Sequence, residues 1–143
     1  MTMSATNRPV SRDGLLLVSR ILISLLFVTF GWGKLGGYDA TTGYFAQLGV
    51  PLPAFATAAA ICMELIVGAA LIFGLWTQPL AIVLALYTIV TALVGHHFWT
   101  LAGADRFESS INFYKNISIV AGLLLLYVSG PGRYSIDGRF SAR

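Results

Sequence analysis

The chain has 143 residues, of which 57% are hydrophobic and only 10% charged, with a formal net charge of +3. Soluble domains carry roughly 25% charged residues, so this chain cannot cover itself with polar surface in water, and its mean hydropathy of +0.78 points to a bilayer. The nine Lys and Arg form no basic stripe, which excludes nucleic acid as a partner, and the lone Cys62 excludes dithiol chemistry.

The first apolar run follows Arg8, Arg12 and Arg20. It is too long for a secretory signal and no small-residue cleavage site follows, so it reads as an uncleaved first span over about 15–34. Gly36, Gly37, Pro51 and Pro53 then break the pattern before a second span over about 55–73. The turn LWTQPL, with Pro79, leads to a third over about 80–99, which ends in His96 and His97. Beyond Gly103 a fourth covers about 109–128 and stops at Gly130, Pro131 and Gly132. Each run is close to the roughly 20 residues that cross a hydrocarbon core of about 30 Å. Backbone groups in lipid must be satisfied within the chain, and the alternation of a barrel strand is absent, so the runs are helices. The expected fold is all-α, an integral membrane four-helix bundle forming one domain over residues 1–143.

Counting spans alternately, Arg8, Arg12, Arg20, Arg133, Arg139 and Arg143 fall on one side and Lys34, Arg106 and Lys115 on the other. Positive residues favour the cytoplasm, so both termini are expected there. Trp32, Tyr38, Trp76 and Trp99 lie near the span boundaries, as aromatic belts do. Tyr38, Tyr44 and Phe45 in the first outer loop form either a lid or an interfacial rest.

Glu64 stands near the middle of the second span, where an ionisable group costs on the order of 3 kcal/mol. Thr57, Ala60 and Gly68 share its face, a strip of small residues that lets another helix approach. Glu64 therefore points into the bundle and requires a partner. Lys115 is the first expectation, because the fourth span's apolar run over 117–128 is too short alone and must reach back through Asn112, Tyr114, Lys115 and Asn116. Asn112 and Asn116 would add hydrogen bonds. Lys34 is the alternative partner, on a face of the first helix shared with Arg20, Ser24, Phe27 and Gly31. Arg20 and Lys34 have an equally simple reading as residues that snorkel to the interface. Adjacent histidines diverge by about 100° on a helix, so His96 and His97 read as interfacial and not as a metal pair. Cys62 reads as core packing.

Several pieces now fall into a known order: Arg20 opening an apolar helix, FGWGKL over 30–35, MEL over 63–65 with GLWT over 74–77, FYKN over 113–116 and GPGRYSID over 130–137. Together they resemble the DoxX family of small bacterial inner-membrane proteins, over nearly the whole chain. The resemblance implies a four-helix multi-pass fold in the inner (plasma) membrane and an association with redox systems, including thiosulfate:quinone oxidoreductase. It carries Arg20, Lys34, Glu64, Lys115 and Asn116 as recurrent polar positions. It further implies a quinone-like or other amphipathic ligand near Glu64 and Lys115, no cofactor encoded by a motif, and a protein redox partner or a homo-oligomer. The chain has no flavin motif, haem ligand set or dithiol, so any oxidoreductase role is that of a non-autonomous subunit. A non-catalytic scaffold or assembly partner, and a small proton-coupled transporter, are the other two expectations.

Overall fold

The computed structural model of the chain describes residues 10–140, and among these it contains helices and no strand. Arg8 and Arg143, counted above for orientation, lie outside the described residues. Four helices are long and apolar enough to cross a membrane: Arg12–Gly36, Pro53–Phe73, Thr77–Thr100 and Gly103–Ser129. In their most apolar stretches at most 28% of residues are buried inside the chain, which leaves the rest to face lipid.

Helix α1 (Val10–Gly36) is followed at once by a short helix α2 (Tyr38–Gln47), so the first connection is helical where a loop was expected. The second span is α3 (Pro53–Ile61), a π turn (Cys62–Val67) and α4 (Gly68–Phe73) in one continuous rod. Pro53 stands at the start of α3, where its missing N–H costs nothing. Helix α5 (Thr77–Gly95) contains Pro79 in its first turn, a position that tolerates proline, so this residue opens the third span and does not precede it. Helix α6 (Gly103–Ser129) begins six residues before the expected start at 109, because the polar turn GADRFE continues the helix past the apolar run. A last short helix, α7, covers Ile136–Phe140.

The spans pack as two hairpins. Helix α1 lies along the second span, and α5 lies along α6. Between them Phe27, Leu71, Ala81, Leu84, Ala85, Val120, Leu123 and Leu126 form one apolar core. Most of these residues lie close to the 74–76 turn or to the end of α6, so the core fills the half of the bundle that holds the start of α1 and α7. At that terminal end Arg133 N donates to Asp13 Oδ1 at 3.0 Å and ties the C-terminal segment to α1.

The same segment closes the turn between the second and third spans. Gly74 N bonds Leu71 O at 3.1 Å and Leu75 N bonds Ala70 O at 2.9 Å, the paired closure of a helix on a left-handed residue. Trp76 also takes the left-handed conformation, at φ 46°, which disfavours a side chain. Asp137 holds it there. Its carboxylate accepts from Trp76 N at 2.9 Å and Thr77 N at 2.8 Å, capping α5 from a distant part of the chain, and its own N–H donates to Gly74 O at 3.0 Å. Replacing Asp137 by Ala is expected to destabilise the fold by about 1–2 kcal/mol, and Asp137→Asn by roughly half as much, since one acceptor survives. The thermal midpoint in mild detergent measures both; equal midpoints for wild type and Asp137→Ala would show the cap to be idle.

Candidate functional site

The site begins with an absence of side chain. Helix α1 and the π turn approach so closely that a Cβ on Gly31 would lie 2.8 Å from Glu64 Cβ and 2.9 Å from Leu65 Cγ. One helical turn away the roles reverse, and a Cβ on Gly68 would meet Phe27 Cβ at 3.2 Å and Val28 Cγ2 at 3.3 Å. Thr57, Ala60, Glu64 and Gly68 are all buried, so the strip of small residues does face the bundle interior, and what packs on it is α1.

Glu64 is the third residue of the π turn and is 6% exposed. Lys34 follows Gly31 by three residues on the same face of α1, and its Nζ donates to Glu64 Oε2 at 2.7 Å and Oε1 at 3.0 Å. From α5, Tyr87 donates its hydroxyl to Glu64 Oε1 at 2.7 Å. One carboxylate thus gathers a cation and a phenol from two other spans. The Lys34 ammonium also stands 5.6 Å from the centre of the Phe30 ring.

The expected contact between Glu64 and Lys115 is corrected: Glu64 pairs with Lys34, and Lys115 Nζ bonds the Asn112 side-chain oxygen at 2.8 Å. The offset shows when both residues are counted from the terminal ends of their helices. Lys115 lies fourteen residues from the terminal end of its helix and Glu64 nine from the end of its own, about 21 Å and 14 Å of rise. Lys115 thus stands nearer the loop end than Glu64, and Lys34, on the helix packed directly against the π turn, is the lysine within reach. Arg20 stands fourteen residues before Lys34, again about 21 Å along α1. It is fully buried at the terminal end and donates through Nη2 to the carbonyl of Tyr134.

Lys34, Glu64, Lys115 and Asn116 all line one cavity of 340 Å³, while Arg20 and Asn112 lie outside its lining. The cavity occupies the loop-end half of the bundle, above the core and between the two hairpins. Its walls are mostly apolar, from Leu26, Phe27 and Phe30 on α1 to Val90 and Val94 on α5 and Ile119 on α6. Tyr44 and Phe45 of α2, with Leu48 and Val50, complete the lining at the loop end. Two contacts hold α2 in place: Thr42 Oγ1 donates to Thr57 Oγ1 at 3.0 Å and Tyr38 donates to Ala54 O at 2.7 Å. Of the three aromatic residues named for this loop, Tyr44 and Phe45 reach the cavity and Tyr38 anchors the helix beside it.

His96 lines the cavity, whereas His97 turns its ring to Val94 O at 2.9 Å and packs against Trp99. Cys62 is exposed, which corrects its reading as core. It stands two residues before Glu64, roughly 200° round a helix, so the rotation that buries the carboxylate turns the thiol to lipid. Tyr87, Thr88 and Thr91 are cavity residues that sequence reasoning missed. The available signal was Tyr87 itself: a tyrosine in mid-span, away from both interfaces, must find a partner for its hydroxyl. Among the described residues no three His, Cys, Asp or Glu side chains gather to hold a metal.

The family model described as DoxX matches residues 15–97 of the chain. The inner membrane protein YphA of Escherichia coli is 42% identical over 129 residues, which are 90% of this chain and 92% of that protein. The inner membrane protein YqjF of the same organism is 40% identical, covering 85% of this chain and 88% of its own. A membrane protein of Mycobacterium tuberculosis, Rv3486, is 30% identical over 87% of this chain and 80% of its own. No solved structure matches the chain.

Proposed function

Because the chain belongs to the DoxX family and is an inner-membrane protein, we propose that it binds a quinone-like amphipathic molecule in the cavity between its hairpins, as a subunit of a membrane redox system. The observation that carries this reading is the Lys34–Glu64–Tyr87 cluster set in the wall of an otherwise apolar cavity. A few convergent polar groups in a greasy cleft suit a ring with oxygen acceptors and an apolar tail. The donor chemistry fits. Lys34 has a third N–H free for a ligand oxygen, Tyr87 can turn its one O–H from Glu64 Oε1 to the ligand, and Glu64 can accept or return a proton at Oε1. A quinone, when bound, takes up two electrons and two protons on reduction. On this reading the electrons come from a partner protein, as the sequence has no flavin motif, haem ligand set or dithiol. With the termini cytoplasmic, as the distribution of Lys and Arg suggests, the cavity faces the outer leaflet.

The ion pair weighs against the transporter reading: a carboxylate already neutralised by Lys34 is a poor exchange site for another cation. The open half of the bundle weighs against a purely structural scaffold. Titration of the detergent-solubilised protein with short-tailed ubiquinone and menaquinone analogues, read by thermal midpoint, tests the proposal. Saturable stabilisation is expected, about tenfold weaker in Tyr87→Phe, which removes one donor and keeps the ring. Absence of binding by wild type, or unchanged binding by Tyr87→Phe, would sink it.

A further inference from the structure

The charges around the cavity do not balance. Lys34 and Glu64 cancel one another through a two-oxygen contact, and Tyr87 adds no charge. Across the cavity Lys115 has no carboxylate within ion-pairing distance among the described residues, and its Nζ is met by the neutral side chain of Asn112. Asn116 and His96 line the cavity with it. The lining therefore carries one uncompensated cation, with neutral hydrogen-bonding groups in the same wall, and opposite it a cluster that is polar yet neutral as a whole. A cation held at the edge of the hydrocarbon region gains from a counter-ion more than one in water does.

We infer that this cavity also accepts a monoanionic amphiphile, a single carboxylate or phosphate on an apolar body. The anion sits at Lys115 with Asn116 and His96 beside it, and the body lies along Phe27, Phe30 and Ile119 toward the Tyr87 hydroxyl. This rests on the reading of the cavity as a ligand site and adds an anionic class to the neutral one proposed above. Lys34 is the poorer anion site, because its charge is already met by Glu64. The same chemistry has two sources, a free alkyl or aryl carboxylate and the phosphate of an anionic lipid.

The test uses the full chain in a neutral maltoside detergent, titrated with decanoate, decanol and dihexanoyl phosphatidylglycerol below their micellar concentrations. Thermal midpoints are followed for wild type, Lys115→Gln and Tyr87→Phe. At least one anion is expected to saturate wild type at a concentration about tenfold below decanol. Lys115→Gln is expected to erase that preference, so that the anions bind no more tightly than decanol. Tyr87→Phe, at the far end, weakens anions and decanol alike. Decanoate acting without the lipid identifies a free carboxylate as the source, and the reverse identifies the lipid. Equal response of wild type to decanoate, lipid and decanol, or an anion preference that survives in Lys115→Gln, overturns the charge assignment while leaving the cavity a binding site. Failure of every probe, decanol included, overturns the binding reading as well.

Discussion

Gly74→Ala, the addition of one methyl group, is expected to cost more than about 3 kcal/mol, enough to deplete the folded protein from the membrane fraction. Two effects combine. Gly74 holds φ 68° and ψ 43°, a left-handed conformation that disfavours any side chain by about 1–2 kcal/mol. The new Cβ would also run into Arg20 Nη1 and Ser135 Cβ. Neither neighbour can yield cheaply. Arg20 is fully buried with its Nη2 committed to the Tyr134 carbonyl, and Ser135 belongs to the segment that Asp137 fixes to the same turn. Displacing the guanidinium leaves a buried cation without its hydrogen bond, which is the expensive outcome. Gly33→Ala is the matched control: it lies inside α1, a Cβ there meets nothing within 4 Å, and helix propensity makes the change neutral or slightly favourable. Membrane yield and the thermal midpoint in mild detergent compare the two. Similar behaviour of both variants would refute the packing of Arg20 and Ser135 against Gly74.

Lys34→Met is expected to be the second most damaging change, at about 3 kcal/mol, the lower end of the range for breaking a buried pair because Lys34 keeps partial access to its surroundings. The methionine preserves apolar volume and contact with Phe30 but leaves Glu64, which is 6% exposed, with Tyr87 as its sole remaining donor. The double variant Lys34→Met with Glu64→Gln removes both charges, and the amide can still receive the Tyr87 hydroxyl, so it should recover much of the loss. The comparison is a double-mutant cycle on thermal midpoints. A double variant as unstable as the sum of the single ones would mean that the pair has no coupling and that the 2.7 Å contact contributes nothing beyond packing.

The four spans were legible because twenty apolar residues in a row have no alternative explanation. Their ends were not. Hydropathy marks where a helix lies in lipid, and Asp105, Arg106 and Glu108 extend α6 into the polar region without interrupting its hydrogen bonds. Depth along a span does not name the neighbour: α1 packs directly on the π turn, so Lys34 and not Lys115 meets Glu64. The better clue was Gly31, three residues before Lys34: a glycine inside an apolar helix marks a close approach, and here the approaching residue is Glu64 itself. The inward turn of Glu64 followed correctly from Thr57, Ala60 and Gly68. Tyr87 escaped notice because a single hydroxyl adds little polarity to a long apolar run. The knot of Arg20, Gly74 and Asp137 joins segments more than fifty residues apart, and no local pattern announces it.

The π turn at Cys62–Val67 fits one more residue into the second span than an α-helix of the same rise would hold. The rod therefore has two registers. The part before the turn and the part after it are offset by about one residue's rotation, roughly 100°, and Glu64 sits where the offset is introduced. A lineage that lost one residue between Cys62 and Val67 other than Glu64 would keep every polar group of the cluster in its sequence, yet the segments on the two sides would swing relative to each other and the carboxylate would leave its place opposite Lys34. Among relatives of this chain, the length of the stretch is thus as informative about the site as the presence of the glutamate.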